Sequence, residues 1–347
     1  MPRPPLSFCA LAWTPDLTGA FGDAMAAIAR LDARICASLV APAWTLRAAW
    51  TGYTRALQLQ RVEIDEIDVF AAQCGLHLPG RGRITTASDP FGALPAWCAR
   101  LAEPHGRHWR EDLPFSFELP PGWAEAPVLV RALDLVDIWC RNDASISPWL
   151  ARPILLRRLK LTQTPLPCLA GGDEAQRFAL DTRPALLKRL LKRLRKSAED
   201  GLERLDALER FRLRAAAAVA SEHRPGKLGA LLRLALARPG LAARTIAGDL
   251  GVTLSGAGKL LARAEGLGLL VEVGARMSWR LYVTPDVAVV LGVKAPDRGR
   301  PRALPPPTRA VAAILGQFDA EMAAIDSRLQ QLGVGHESHD IDDDTDL

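Results

Sequence analysis

Residues 245–270 read TIAGDLGVTLSGAGKLLARAEGLGLL, a pattern typical of two helices joined by a tight turn. Gly251 supplies the turn, Val252 fills the space beneath it, and Thr253 caps the second helix. Apolar residues recur at the spacing at which two such helices bury each other. They are Ile246, Ala247, Leu250, Val252, Ala257 and Leu260. The stretch therefore predicts a helix-turn-helix, and it decides the fold expected for the C-terminal part of the chain.

The flanking sequence extends this motif to a winged helix. KLGALLRLALARP (227–239) predicts a preceding helix that Pro239 ends. LLVEV (269–273) and MSWRLYV (277–283) predict two short strands around a turn at GAR, which form a wing. We therefore predict a winged helix-turn-helix with a small β-hairpin wing over residues 225–292. A plain helical hairpin is the alternative.

The second helix of the motif is poor in the side chains that read DNA. It contains Gly256 and Gly258, and its only charges before Glu265 are Lys259 and Arg263. An interior glycine lowers helix stability by about 0.5 to 1 kcal/mol, although it also allows close approach of another backbone. The candidate DNA-binding residues are Thr253, Ser255, Lys259, Arg263, Arg276 and Arg280. The alternative is a frayed helix that reads bases weakly.

Length and composition indicate a globular protein. A chain of 347 residues with 49% hydrophobic residues can form about two domains with real cores. No apolar run approaches the roughly 20 residues that span a bilayer, and the N-terminal apolar stretch is too short for a secretory signal. The six cysteines are scattered without a CxxC pair, so neither a zinc site nor a disulfide framework is indicated. We expect a cytoplasmic protein without metal or cofactor, whose cysteines are mostly small buried residues.

The positive charge is concentrated in one central block. Residues 151–240 carry 20 Lys and Arg against 9 Asp and Glu, whereas residues 241–292 carry 5 against 4. Such a block suits a polyanionic partner, but a solvated helix face gives the same composition. Both interpretations of the block remain open at this point.

Ala, Leu and Arg dominate the chain and predict a mainly α fold. Residues 17–38 and 42–75 each predict one amphipathic helix, the second capped by Gly75. Residues 184–224 predict one long basic helix with proline in its first position and an apolar stripe interrupted around Gly201. The stripe consists of Leu187, Leu190, Leu191, Leu194, Leu202, Leu205 and Leu208.

A final helix is predicted over residues 307–334, after a Pro- and Arg-rich linker. Its apolar residues follow steps of four and three, which is a heptad seam. They are Val311, Leu315, Phe318, Met322, Ile325, Leu329 and Leu332. About three heptads are the lower limit for a coiled coil. The seam therefore predicts either a homodimer or a helix docked on its own chain.

Five segments have a pattern found in a known family: AIARLDARI (27–35), PLPCLA (165–170), EDGLERLDALER (199–210), LGLLVEV (267–273) and RLYV (280–283). They resemble segments of Fic-domain proteins, helical enzymes that transfer AMP or a similar group from a nucleotide to a hydroxyl. The resemblance covers most of residues 17–292. SPWLARPILLRRLKLTQTPLPCLA (147–170) is also similar to rhizobial proteins that join a helical domain of unknown function to a C-terminal helix-turn-helix. The resemblance implies a Fic-like helical domain over residues 17–183.

The catalytic motif of Fic enzymes is missing. Theirs opens with His-Pro-Phe, and a Gly- and Asn-containing turn at a helix N-terminus cradles the phosphates. The matching stretch is SPWLARP (147–153), in which Ser147 replaces the histidine and the phosphate-binding turn is lost. Serine has no pKa near neutrality, and Pro153 lacks an N–H donor. Gln58 and Leu59 likewise stand where the inhibitory motif of the family has glutamate and glycine. We therefore expect no transferase activity.

An enzyme with altered chemistry is a further hypothesis. Polar residues around the lost motif would form its site: Asp137, Arg141, Asn142, Asp143, Ser147 and Arg152. The structural alternative is a network of loop and cap hydrogen bonds, in which Asp143 caps the next helix.

The sequence thus predicts seven segments. They are an N-terminal extension (1–16), the Fic-like helical domain (17–183), the long basic connecting helix (184–224), the winged helix-turn-helix (225–292), a linker (293–306), the heptad helix (307–334) and a disordered acidic tail (335–347). The predicted function is a transcriptional regulator that binds double-stranded DNA, with the helical domain as sensor or dimerisation body. The main alternative is a protein-interaction scaffold that does not bind DNA.

Overall fold

A computed structural model describes residues 7–76, 90–103, 108–178, 182–273, 280–296 and 309–331. Within these ranges the chain is mainly helical and contains one small three-stranded sheet, in agreement with the predicted mainly α class. The helical body consists of α1 (Pro15–Cys36), α2 (Ala41–Gln58), α3 (Glu66–Gln73), α4 (Leu94–Ala102), α5 (Val128–Asn142), α6 (Ser147–Arg158), α7 (Ala175–Phe178) and α8 (Arg183–Ser221).

The elements that follow α8 form a second group. They are α9 (Leu228–Ala237), β1 (Gly240–Ala242), α10 (Ala243–Leu250), α11 (Leu254–Gly266), β2 (Val271–Glu272), β3 (Leu281–Val283), α12 (Pro285–Val290) and α13 (Arg309–Gln331). The elements α9 to α12 are called the C-terminal unit below. The apolar core continues from the helical body into this unit, since Leu205 of α8 and Leu261 of α11 belong to one buried cluster.

The 39-residue helix α8 is the element against which the rest of the body packs. Its predicted existence is confirmed, and it begins one residue before Pro184. Buried residues recur along it every three or four positions, as an amphipathic helix requires. They include Leu186, Leu187, Leu190, Leu191, Leu194, Leu205, Leu208 and Phe211. The stripe therefore runs over most of the helix length.

Gly201 allows close packing on α8 rather than interrupting the helix. A Cβ at this position would lie 3.0 Å from Cys168 Sγ and 3.1 Å from Leu31 Cδ2. The indole N–H of Trp44 donates a hydrogen bond to the Gly201 carbonyl at 2.7 Å. The absent side chain thus lets α1, α2 and the turn around Cys168 approach the α8 backbone.

The predicted single helix over residues 42–75 is wrong, because the structure has two helices there, α2 and α3. Arg61, in the loop between them, has a φ of 60°, which a right-handed helix cannot contain. A capping box then starts α3. The Asp65 N–H donates to the Asp68 carboxylate at 2.8 Å, and the Asp65 carboxylate accepts the Asp68 N–H in return. Gly75 follows α3 with a φ of 69°, so the predicted glycine cap is confirmed.

In the C-terminal unit, α10 and α11 are joined by the predicted turn. Gly251 has a φ of 58°, and the Thr253 hydroxyl accepts a hydrogen bond from the Gly256 N–H at 3.1 Å. Of the six predicted core residues, Ile246 and Ala257 are buried and the other four are half-buried. Leu261 and Ala264, which were not predicted, complete the contact.

The sheet of the C-terminal unit has one strand that the sequence did not predict. β3 lies in the middle and pairs antiparallel with both β1 and β2, with Leu241 opposite Tyr282 and Glu272 also opposite Tyr282. β2 and β3 lie within the two predicted strands, residues 269–273 and 277–283. The three residues of β1 are too few to show an alternating pattern, which is why the sequence did not predict this strand.

A fully buried arginine joins the helical body to the C-terminal unit. Arg47 of α2 donates from Nη1 to the carbonyl oxygens of Ala43 and Leu236, each at 3.0 Å. Its Nε donates to Asp286 Oδ2 at 2.5 Å, and its Nη2 donates to the Thr284 hydroxyl at 3.2 Å. Because a buried charge is costly unless it is paired, these bonds fix α9 and α12 against α2.

The final helix α13 docks on the chain's own core. The described members of its heptad seam are Leu315, Phe318 and Met322, which are buried, and Ile325, which is half-buried. Phe318 lies beneath the guanidinium groups of Arg212 on α8 and Arg233 on α9, and Asp319 and Glu321 pair with these arginines. The side chains of Val311 and Leu329, and all of Leu332, lie outside the described residues, as does the acidic tail. A homodimer through this seam would require α13 to leave α8 and α9.

Cys74, Cys140 and Cys168 are buried, Cys9 and Cys98 are half-buried, and Cys36 is exposed. Burial raises the pKa of the Cys74 thiol to about 12, and that of Cys168 likewise to about 12. In the described part of the chain, no helix combines the length and apolarity needed to cross a membrane.

Replacing Arg47 by methionine should lower the free energy of unfolding by about 3 to 5 kcal/mol, because Asp286 then stays buried without its counter-charge. The exposed Arg30 on α1 offers a matched control, and Arg30→Met should change stability by less than about 0.5 kcal/mol. Urea unfolding followed by circular dichroism measures both. Equal stability of the two variants would contradict the role assigned to Arg47.

The same ion pair predicts a pH dependence of stability. Burial opposes ionisation of Asp286, but Arg47 and the Thr284 hydroxyl hold its pKa below the ordinary value of 3.8. A carboxyl with a lowered pKa stabilises the fold above its unfolded-state pKa, and this contribution is lost as the pH falls through the folded-state pKa. The stability difference between the wild type and Asp286→Asn should therefore be largest above about pH 5 and shrink below about pH 4. Urea unfolding at several pH values checks this, and a constant difference would contradict it.

Candidate nucleic-acid interface

One side of α11 is turned away from the core. We call Leu254, Ser255, Gly258, Lys259 and Ala262 the outward face of α11. All are exposed except Gly258, which is half-buried, and Leu254 is 60% exposed. Their spacing places them on one side of the helix, opposite the buried positions of the same helix. Two of the predicted site residues, Ser255 and Lys259, therefore lie together on an accessible surface.

The opposite side of α11 is anchored in the core. Ala257, Leu261 and Ala264 are fully buried at steps of four and three residues. They pack in the same apolar cluster as Ile246 of α10 and Leu232 of α9. This burial fixes the rotation of α11 about its axis and so determines which residues form the outward face.

Gly256 and Gly258 of α11 have different structural settings. A Cβ at Gly256 would lie 3.1 Å from the Thr253 hydroxyl, which accepts the Gly256 N–H, so a small residue suits the helix cap. A Cβ at Gly258 would meet nothing within 4 Å in the described structure. Packing inside the chain therefore does not require glycine at position 258. Thr253 itself serves as the helix cap, which occupies one acceptor of its hydroxyl.

The structure places Arg263 at the junction with α8 instead of on the outward face. Its guanidinium pairs with the Glu222 carboxylate, and both terminal nitrogens donate to the Arg224 carbonyl at 3.1 Å. Glu222 and Arg224 directly follow the last turn of α8. These bonds hold α11 to the end of the long helix. The sequence could not reveal this role because the partners are about 40 residues away.

The wing positions are described only in part. Arg280 precedes β3, is exposed, and lies 3.5 Å from the Glu272 carboxylate on β2. Arg276 lies outside the described residues. The structure thus brings Arg280 to the hairpin, where its charge is partly matched by Glu272.

Sequence reasoning missed one accessible cation of this unit. Arg244 of α10 is exposed and has no ion-pair partner among the described residues. It lies two positions before the buried Ile246, so helical periodicity counted from that residue would have placed it on the surface. The neighbouring Arg238 pairs instead with Asp249 at 2.6 Å.

The basic block on α8 is largely neutralised by acidic groups of the chain itself. The pairs are Arg183–Asp137, Lys188–Asp16, Arg189–Asp173, Arg195–Asp23, Arg204–Glu66 and Arg212–Asp319. Among the described cations of α8, Lys192, Arg210 and Arg214 have no ion-pair partner. The positive excess of the sequence therefore does not correspond to an equally positive free surface.

The polar residues around SPWLARP (147–153) form mainly structural contacts. Asp137 is buried and pairs with both Arg141 and Arg183. Asn142 Nδ2 donates to the Ile138 carbonyl at 2.9 Å. Ser147 is the first residue of α6, and its N–H donates to the Ser145 hydroxyl at 3.1 Å. These hydrogen bonds belong to helix ends and their connecting loop.

Asp143 and Arg152 do not have the roles that the sequence suggested, a cap of the next helix and an accessible site residue. Asp143 does not cap α6: it ends α5, and its carboxylate accepts hydrogen bonds from the Ser145 N–H and the Trp139 indole. Arg152 is fully buried within α6, and its Nε and Nη2 have no hydrogen-bond partner. Burial lowers the pKa of the Arg152 guanidinium to about 10.

No cluster of three metal-ligating side chains occurs in the described ranges.

Comparison with known proteins does not assign the chain to a family. No protein-family model matches it, and no curated protein matches it significantly. The resemblance to Fic-domain proteins and to the rhizobial helix-turn-helix proteins remains a prediction from the sequence.

The two cations of α11 should affect stability differently. Arg263→Ala should lower the free energy of unfolding by about 1 to 3 kcal/mol, because it removes charged hydrogen bonds to Glu222 and to the Arg224 carbonyl. Lys259→Ala removes only an exposed side chain and should change stability by less than about 0.5 kcal/mol. Thermal or urea unfolding of both variants gives the comparison. A larger loss in the Lys259 variant would contradict this assignment.

Proposed function

We propose that the protein is a DNA-binding regulator that contacts duplex DNA through the outward face of α11. The observation that carries this proposal is the accessibility of this face on a helix whose other side is fixed in the core. The element order α9-β1-α10-α11-β2-β3, with sheet order β1-β3-β2, is also the order in which winged helix-turn-helix domains are built. In such domains the second helix of the motif enters the major groove.

Three residues of the outward face, and the start of α11, have matching roles in this proposal. The N–H groups at the start of α11 favour a phosphate oxygen, because the first turn of a helix leaves donors free. Ser255 and Lys259 reach base edges, and Gly258 allows the helix backbone to approach the groove floor. Arg244 and Arg280 lie on neighbouring elements and contact flanking phosphates.

The scarcity of free cations limits the electrostatic part of binding. Among the described residues, Lys259, Arg244 and Arg280 would neutralise about three phosphates, which gives a slope of log K against log salt near −3. Because few side chains on α11 can form bidentate contacts with bases, we propose weak sequence specificity. Most of the affinity then comes from shape and phosphate contacts.

The helical body serves as the platform and sensor in this proposal. α8 connects the body to the C-terminal unit through Arg263, and Arg47 fixes α12 against α2. The Fic-like catalytic motif is absent from the sequence at Ser147, so we propose no transferase role for the body. A homodimer is not needed for the proposed contact with DNA.

A protein-interaction scaffold is the second candidate function, and one observation favours it. Leu254, the first residue of α11, is 60% exposed, and an exposed apolar side chain suits a protein partner. The charge balance of residues 241–292 is also nearly neutral. Under this hypothesis the chain has negligible affinity for duplex DNA at moderate salt.

Fluorescence anisotropy with a labelled duplex tests the proposal. We expect binding at about 50 mM salt that weakens at about 200 mM with a slope near −3. The Lys259→Ala and Arg244→Ala substitutions should each reduce that slope by about 1. Lys192→Ala, at an exposed unpaired lysine of α8, is the control and should leave the slope unchanged. No binding at low salt would overturn the DNA-binding proposal in favour of the scaffold.

Gly258→Leu is a sharper test because it changes no charge. The added side chain has free space in the described structure, and leucine favours helix more than glycine, so the fold should gain up to about 1 kcal/mol. DNA affinity should nevertheless fall by at least about tenfold, since bulk would hold α11 away from the groove. Gly316→Leu on α13, where a Cβ also meets nothing within 4 Å, is the matched control. Unchanged affinity in the Gly258 variant would contradict the proposed face.

A further inference from the structure

A cavity of about 450 Å³ lies where α8 faces α2, α3 and α12. We call it the α8 cavity. Its volume falls within the range of about 300 to 1,000 Å³ that small-molecule sites occupy in proteins. It is separate from the outward face of α11 and from the residues around Ser147, none of which line it.

Part of the wall of the α8 cavity is apolar. Ala207 of α8 and Val289 and Val290 of α12 supply half-buried aliphatic groups, whereas Phe70 and Phe211 lie behind the wall and are almost fully buried. The guanidinium of Arg204 lies over the Phe70 ring, 5.5 Å from its centre. Such a wall favours a ligand that carries an aromatic or aliphatic group.

Two arginines of the wall are already matched by acids. Arg204 Nη2 lies 2.8 Å from Glu66 Oε1, and Arg55 Nη2 lies 3.4 Å from Asp200 Oδ2. Burial alone would raise the pKa of Glu66, but Arg204 and the Thr51 hydroxyl lower it, so this carboxyl stays ionised and paired. These groups are fixed parts of the wall.

Two further arginines of the wall are not matched. Arg210 and Arg214 stand four residues apart on α8, and neither has an ion-pair partner among the described residues. At this spacing two side chains lie on the same side of a helix. Like charges so placed repel each other unless an anion lies between them. Glu203, seven residues before Arg210, is exposed and offsets only part of this charge.

We propose that the α8 cavity binds a small organic anion. Its carboxylate or phosphate accepts hydrogen bonds from Arg210 and Arg214, since guanidinium groups bind planar and tetrahedral oxyanions with paired donors. Its apolar group packs against Ala207 and Val289, the half-buried aliphatic part of the wall. The alternative, two solvated surface arginines beside an empty cleft, predicts no preference for an anion over its neutral analogue.

The position of the cavity suggests a regulatory consequence. Pro285, Asp286 and Val289 of α12 form one wall, and α12 follows β3 directly. A bound anion therefore touches both the helical body and the C-terminal unit that carries α11. The proposed anion binding does not depend on DNA binding, whereas its regulatory effect rests on the proposed function.

Ligand-observed NMR with phenylacetate, phenyl phosphate and neutral phenylacetamide tests the site on the full chain. At least one anion should bind more tightly than the amide. Arg210→Gln combined with Arg214→Gln should weaken its binding by about tenfold or more. Lys192→Gln combined with Arg30→Gln removes the same charge from exposed sites and should leave binding unchanged. Equal binding of amide and anions, or no binding of either anion, would overturn the proposal.

Ala207→Trp provides a test that does not depend on charge, because the indole would fill the cavity. The variant should abolish anion binding while retaining the circular dichroism spectrum of the wild type. If it binds the anion as the wild type does, the anion lies elsewhere and the proposal fails.

The regulatory consequence is measured by DNA anisotropy with and without the anion that binds. A change in DNA affinity that the Arg210, Arg214 double variant lacks supports coupling. An unchanged affinity removes the regulatory role and leaves the ligand site intact. If the chain binds the anion but never DNA, the proposed function fails while the site stands.

Discussion

The fully buried guanidinium of Arg47 is the contact on which the arrangement of the two parts of the molecule depends. It needs acceptors, and it takes them from α2, from the end of α9, and from Thr284 and Asp286 at the start of α12. Moving the C-terminal unit away from the body would break the ion pair with Asp286 and the hydrogen bonds to the Leu236 carbonyl and the Thr284 hydroxyl. These bonds therefore hold the unit that presents α11 against the helical body, and a contact far from the outward face sets the direction of that face.

Ion pairs hold the long helix α8 against the elements around it. Most of its cations pair with acids that other elements supply, such as Asp16 of α1, Glu66 of α3 and Asp319 of α13. The basic composition of the central block thus supports packing of the body instead of forming a broad surface for nucleic acid. Within the described ranges, this leaves Lys259, Arg244 and Arg280 as the cations around the proposed DNA contact. It also leaves Arg210 and Arg214 as unmatched charges beside a cavity, where a small anion can approach them.

Local features of the fold could be predicted from the sequence, and contacts between distant segments could not. The turn at Gly251, the cap at Thr253 and the stripe of α8 follow from residues within one or two helical turns. The break between α2 and α3 was missed because the capping box of Asp65 competes with a continuous apolar pattern. Partners of Arg47 lie 189 and 239 residues away, and no spacing rule points to them.

Likewise, the heptad seam of α13 is compatible with a coiled coil and with docking, and only the structure shows that Phe318 is buried on α8 and α9. In the candidate interface, Ser255, Lys259 and Arg263 were predicted from their place in the second helix of the motif, whereas the internal role of Arg263 depends on Glu222, 41 residues earlier.

The claim that the outward face of α11 is the DNA contact is tested most directly by site-specific photocrosslinking. A benzoylphenylalanine placed at the exposed Ala262 should form a covalent adduct with bound duplex DNA upon irradiation. The same group at Lys192, an exposed position on α8, should not. Both variants would be irradiated under conditions in which anisotropy shows the duplex to be bound. Crosslinking at position 262 alone is the result that the account predicts. Crosslinking at position 192 without any at position 262 would contradict it and would place the nucleic acid on α8.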